Sequence, residues 1–286
     1  MLADRLTEFR DLVHAQLCYQ LFITPLHLPI EKEYRDFARR ACDFFLENRT
    51  NAIHCHTPRH HVIHRFAPLK QTQSKKVLIT HGWMSRAAYM VRLIHALREQ
   101  GFDVYALDFP AHGEAKGVQL AWTDAVLLLR QILNKLGPFY AVIGHSFGGS
   151  MLLNTLNLAS QFPDWQIDFA PERVVLIASP TRMRVPVSKL ARQLKLSRQG
   201  FLFLRNVFRE RAFIDLKNLD FHHLTERSDT PILCIHGEND ISILPQESIV
   251  FCEQYPHGYL ALLPGADHVS VLMDERVEKT VSQFLF

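Results

Sequence analysis

The stretch Phe139-Tyr140-Ala141-Val142-Ile143-Gly144-His145-Ser146-Phe147-Gly148-Gly149 decides how this 286-residue chain is read. An apolar, strand-like run ends at Ile143 and a helix-like stretch runs from Gly149 to Ser160, so Ser146 falls on the turn between them. A serine hydroxyl attacks a carbonyl carbon only when it projects clear of the backbone and a base takes its proton. A sharp strand-to-helix turn provides the projection but crowds the serine against residues two places on either side, which is why glycine suits those places. Gly144 and Gly148 stand there. The helix beginning beneath the serine would aim the Phe147 amide at a developing oxyanion.

Alone, such a pattern is more simply a Gly-Ser turn. An activated serine also needs a histidine base and a carboxylate, here in the chain order serine, acid, histidine. The strand-like run Pro231 to His236 leads into Gly237-Glu238-Asn239-Asp240, and Tyr259 to Leu263 leads into Pro264-Gly265-Ala266-Asp267-His268. Both loops leave the carboxyl end of a strand, where open parallel sheets carry their sites. Asp240 and His268 are therefore the candidates. Asp267 precedes His268 directly and is expected to be solvated, because neighbouring loop residues seldom reach the same ring nitrogen.

With these motifs in place the chain resembles an α/β-hydrolase over most of its length. Val77 to Thr80 followed by His81-Gly82-Trp83 is similar to the family's oxyanion loop. Asp108-Phe109-Pro110-Ala111-His112-Gly113-Glu114-Ala115 resembles the loop after the fourth strand, with alanine at 111 and 115 where the family usually has glycine and serine. The resemblance implies Ser146 as nucleophile, His268 as base, Asp240 as acid, and the backbone amides of Trp83 and Phe147 as the oxyanion hole. It gives His81 and His145 packing or hydrogen-bonding places only. Serine rather than aspartate at 146 points away from alkyl halides and epoxides. A single glycine before the oxyanion residue and a small cap are similar to bacterial carboxylesterases and lysophospholipase-like enzymes. The same triad serves thioesterases, amidases and carbon–carbon hydrolases, and a catalytically idle binding protein on this fold is the alternative from another class.

The fold class expected is α/β, with a largely parallel sheet flanked by helices and a small helical cap. Strand-like runs at His61 to Ala67, Lys76 to Thr80, Asp103 to Leu107, Phe139 to Ile143, Arg173 to Ala178, Pro231 to His236 and Gly258 to Leu263 alternate with longer helix-like stretches. The organisation expected is an N-terminal helical extension over 1–60, a core over 61–180 and 229–286, and a cap over 181–228. In the extension Leu2, Leu6, Phe9, Val13 and Leu17 recur at helical spacing, as do Tyr34, Phe37, Ala41, Phe44 and Phe45, and both stripes are expected to pack on the body.

Within the cap, Thr181 to Arg211 carries nine basic residues against the single acid Glu210, in a chain of net charge +3. A solvated basic face is the simpler reading; a lid that draws in amphiphilic or anionic acyl substrates, or meets an acidic membrane, is the other. Phe201, Phe203, Phe208 and Phe213 are expected to line an apolar pocket over Ser146. His54, Cys55, His56, His60 and His61 fit no structural zinc spacing, and no glycine loop for a nucleotide is present, so neither metal nor cofactor is expected. Five scattered cysteines, and an amino terminus unlike a secretory signal, suit the cytoplasm. The partner expected is a small-molecule acyl substrate, with no nucleic acid and with membrane contact not favoured.

Overall fold

The computed structural model describes residues 2–26, 28–70, 75–212, 221, 224 and 228–286. Among these residues eight strands form one sheet: β1 (Asn51–Cys55), β2 (His61–Phe66), β3 (Lys76–Thr80), β4 (Asp103–Asp108), β5 (Ala141–His145), β6 (Arg173–Ile177), β7 (Ile232–Gly237) and β8 (Gly258–Leu263). Their order is β1-β2-β4-β3-β5-β6-β7-β8. The β1–β2 and β2–β4 pairs are antiparallel and the rest parallel.

Because successive side chains of a strand point to opposite faces, the buried strands feed two cores. Leu78, Val142, Val174 and Cys234 enter one; Val77, Ile143, Val175 and Ile235 enter the other. The first core is closed by α1 (Leu2–Ile23), α4 (Trp122–Leu136), α5 (Phe147–Gln161), α6 (Arg184–Gln193), α7 (Arg198–Ala212) and α8 (Gln246–Gln254). The second is closed by α2 (Arg35–Asn48), α3 (Val91–Glu99) and α9 (Glu275–Leu285). Covering both faces buries central strands along their whole length, as in β4, β5 and β7, where every residue is buried and most are apolar. Among the described residues, no helix is long and apolar enough to cross a membrane.

Three expectations are corrected. First, residues 51–55 are not part of a helical extension: they form edge strand β1, whose residues are all exposed or half-buried and leave no apolar run to find. Second, α1 does not bury the stripe through Leu6, Phe9, Val13 and Leu17, which are 47–66% exposed. It buries Asp11, Ala15, Cys18, Tyr19 and Ile23 instead. The helix carries apolar side chains on more than one stripe, and the one with the small residues Ala15 and Cys18 permits close approach to its neighbours. The side chain of Leu2 lies outside the described residues. Third, the cap aromatics pack on α1: Phe208 is buried with its ring edge-on to Tyr19 and Phe22, both at 5.2 Å between centroids. Asp11 accepts from the Ser197 hydroxyl at 2.7 Å, fixing the start of α7 to the same helix.

Candidate active site

β5 ends at His145, and the chain turns at Ser146 with φ 49° and ψ −116° before α5 begins. That conformation is costly for a residue with a Cβ and persists only where its surroundings enforce it. A Cβ on Gly144 would lie 2.4 Å from the backbone of Gly149, and one on Gly148 would lie 2.6 Å from the carbonyl oxygen of His81. Glycine at both places is therefore a packing requirement of the turn.

The loops after β7 and β8 bring Asp240 and His268 to this serine. Ser146 Oγ lies 3.0 Å from His268 Nε2, and His268 Nδ1 lies 2.7 Å from Asp240 Oδ2. Asp240 is buried, and its other oxygen accepts the Ser242 and Ile243 amides at 2.8 and 2.9 Å. Burial works against the charge on this carboxyl. Hydrogen bonds from His236 and His268, together with the Ile243 amide, outweigh it and hold Asp240 well below the usual carboxylate range. Asp267 is half-buried rather than solvated: its Oδ1 accepts the Val269 and Ser270 amides at 2.9 and 2.8 Å, capping the loop that carries His268.

Trp83 and Phe147 flank the serine with ring centroids 5.2 Å apart. A Cβ on Gly82 would stand 3.2 Å from Ser146 Cβ, so the backbone leading into Trp83 runs directly beside Ser146. His81 holds that loop: its Nδ1–H donates to the Gly82 carbonyl at 2.7 Å and its Nε2 accepts the Phe109 amide at 3.2 Å. Behind it the buried Asp108 accepts from the Ala87 amide (2.7 Å), the His64 ring (3.1 Å) and the Glu114 amide (2.8 Å). Ala111 in this loop takes φ 63°, the left-handed conformation that glycine adopts without cost.

Two more histidines belong to this frame: His145, expected in a packing or hydrogen-bonding place, and His236, assigned no role from the sequence. His145 donates its Nε2–H to the His268 carbonyl at 3.0 Å, tying the loop that bears His268 to β5. Burial pushes this ring down to about 3, so it is neutral. His236, fully buried, lies within 3.3 Å of Asp240 and donates to the Ile243 carbonyl at 2.9 Å, while its Nδ1 meets the Ser248 hydroxyl at 2.7 Å. An imidazole ending an apolar strand must find such partners, and this was the available signal.

Two cavities meet at Ser146. The larger, about 640 Å³, lies between the loops bearing Asn239 and His268 and the segment from Leu26 to Ala38. The smaller, about 340 Å³, is apolar and runs under α6 between Phe22, Trp122, Met151 and Leu190. Phe201, Phe203 and Phe208 line neither, which corrects the pocket expectation, and Phe213 lies outside the described residues. The segment expected as a cap instead contributes uncharged Met183, Pro186, Leu190 and Gln193 to the smaller cavity. Of its basic residues, Arg182 pairs with Glu247.

Residues 77–282 match the profile of the alpha/beta hydrolase family. A pimeloyl-[acyl-carrier protein] methyl ester esterase of Nitrosomonas europaea is 24% identical, over 68% of this chain and 89% of its own length. Among solved structures, an esterase of Thermogutta terrifontis with bound butyrate superposes with a TM-score of 0.60 at 16% identity, covering 82% of this chain and 92% of that one. Est1E of Butyrivibrio proteoclasticus gives 0.59 at 17% identity, with 82% and 98% covered. With a serine turn, an eight-stranded sheet and a family match over most of its residues, the chain belongs to the alpha/beta hydrolase family.

Proposed function

We propose that this chain is a serine esterase that cleaves carboxylic esters through an acyl-enzyme. The observation that carries this reading is the continuous hydrogen-bonded line from Ser146 through His268 to Asp240, at 3.0 and 2.7 Å. Ser146 Oγ attacks the ester carbonyl carbon as its proton passes to His268 Nε2, and the carbonyl oxygen becomes an oxyanion held by the Trp83 and Phe147 amides. The bond to the leaving oxygen then breaks, and that oxygen takes the proton from His268. Water repeats the sequence on the acyl-enzyme, giving up its proton to His268, and releases the acid as Ser146 is reprotonated. Asp240, held ionised, stabilises the imidazolium formed in each half.

The apolar cavity under α6 suits an aliphatic acyl chain. The relative from Nitrosomonas is named for hydrolysis of a methyl ester, and the Thermogutta esterase is described phosphoramylated by tabun. Both agree with ester chemistry at an activated nucleophile. The five free cysteines suit a reducing compartment, and the cytoplasm is part of the reading. A fluorophosphonate probe should label the purified chain stoichiometrically and should not label Ser146→Ala. A chain that stays unlabelled and turns over no p-nitrophenyl ester of two to twelve carbons would instead be a binding protein on a hydrolase fold.

A further inference from the structure

The geometry points to the larger cavity as a leaving-group chamber built for an alcohol that carries a protonated amine, with the segment between α1 and α2 as its selector. This rests on the esterase reading, because it starts from where the leaving oxygen must be. His268 delivers the proton to that oxygen, and of the two cavities only the larger is lined by His268. The leaving group therefore occupies the larger cavity and the acyl chain the smaller.

The walls of the larger chamber have one sign of charge. Glu31, Glu33 and Asp267 line it, and no lysine or arginine does among the described residues. Arg35 donates to the Ile30 carbonyl at 3.1 Å, Arg86 lies 5.7 Å from the centre of the Tyr89 ring, and Lys32, between Glu31 and Glu33 in the chain, is not among the lining residues. Tyr34 senses the same field; burial first, then Asp267, Glu33 and Glu31, push its phenol up to about 12. The aromatic lining from Tyr34, Phe37 and Tyr89 adds faces that attract a cation, with the Phe37 and Tyr89 rings 6.3 Å apart.

No described residue of 181–228 lines this chamber, so the basic cap does not oppose the field there. The selecting segment lies before the residues 77–282 that match the family profile.

The test uses Ser146→Ala protein, which holds intact esters whether or not the native chain turns them over. Calorimetry would compare three butyrate esters: 2-(dimethylammonio)ethyl, its neutral counterpart 3-methylbutyl, and the anionic ester of glycolate. The ammonium ester should bind about tenfold more tightly than the neutral one, the size expected from partly solvated charges a few ångströms away. The glycolate ester should bind more weakly than both. Adding Glu31→Gln and Glu33→Gln should remove most of the ammonium-to-neutral ratio. If that variant does not fold, raising the salt on the Ser146→Ala protein should shrink the ratio instead, since exposed charges are screened over about 8 Å at physiological ionic strength. Equal affinity for all three esters, or a ratio that neither the double substitution nor salt alters, overturns the assignment. Failure of fluorophosphonate labelling overturns the esterase reading separately, because the binding comparison needs no turnover.

Discussion

The loops at the carboxyl edge of the sheet and the helices that surround them obey different rules. At the edge, place in the chain dictates place in space: whatever follows β5, β7 and β8 emerges on the same side of the sheet, and Ser146, Asp240 and His268 meet there. In the helical shell a repeating apolar stripe says that a face is covered without saying by what. α7 turns Phe208 onto α1, away from Ser146, while the link from Leu26 to Phe37 walls the larger cavity. A cap rich in aromatics need not touch a substrate when a neighbouring helix offers Tyr19 and Phe22.

The sharpest way to break this contrast lies at the edge. Asp240→Asn should lower kcat for an activated ester by about three to four powers of ten with the fold intact, because the imidazole loses its orienting anion. Asp267→Asn, which weakens only a loop cap, should cost about tenfold or less. Steady-state kinetics on both variants, with circular dichroism to check folding, reads this directly. The reverse ranking would mean that position after a strand misidentified the acid.

In the shell, the two stripes of α1 and the buried face of α7 should part company. Phe208→Ala should cost about 3–5 kcal/mol of stability by urea unfolding, since it empties a fully buried ring position. Phe9→Ser, on the 66% exposed stripe, should stay within about 0.5 kcal/mol. Comparable losses at both sites would place the first stripe against something that covers it.

A smaller effect is read in acid. His145 titrates near 6.5 when unperturbed but only at about 3 in its buried site, so below 6.5 the unfolded chain takes up a proton that the folded chain refuses. Its contribution is intact above 6.5 and is lost progressively as the pH falls toward 3. Asp108 and Asp240, both held below their ordinary value of 3.8, withdraw support only below that point. His145→Gln can still donate to the His268 carbonyl and should flatten the stability profile between pH 6.5 and 4. An unchanged slope of the urea midpoint across that window would remove His145 as its source.

Much of the sheet was legible because burial on both faces makes a strand a short apolar run. β3 and β8 fall where the runs lie, and β5 is displaced by two residues because Phe139 and Tyr140 are buried ahead of it. β1 was not legible: an edge strand buries little, and Asn51 to Cys55 fell within the expected helical extension. The three polar side chains now within hydrogen-bond reach could be nominated because the chemistry demands those residue types in that order. Their supports could not. His236 and the clasp from His145 depend on which loops come to lie beside which, and that is decided by tertiary packing. The same holds for the chamber wall, where Glu31 and Glu33 sit in a polar link with no periodicity.

The clasp has a mechanical consequence. β5, which carries the serine, and β8, which carries the histidine loop, are separated by β6 and β7, about 14 Å across at ordinary strand spacing. Neighbouring strands are rotated by about 20–25° each, so small changes in twist at three successive joints would add up at the far strand as they do along a fan. The bond from the His145 ring to the His268 carbonyl bridges the end ribs directly. Through this crossbar, and through Asp240 on the ring itself, the serine-to-imidazole distance is tied to local contacts rather than to the summed twist of three joints.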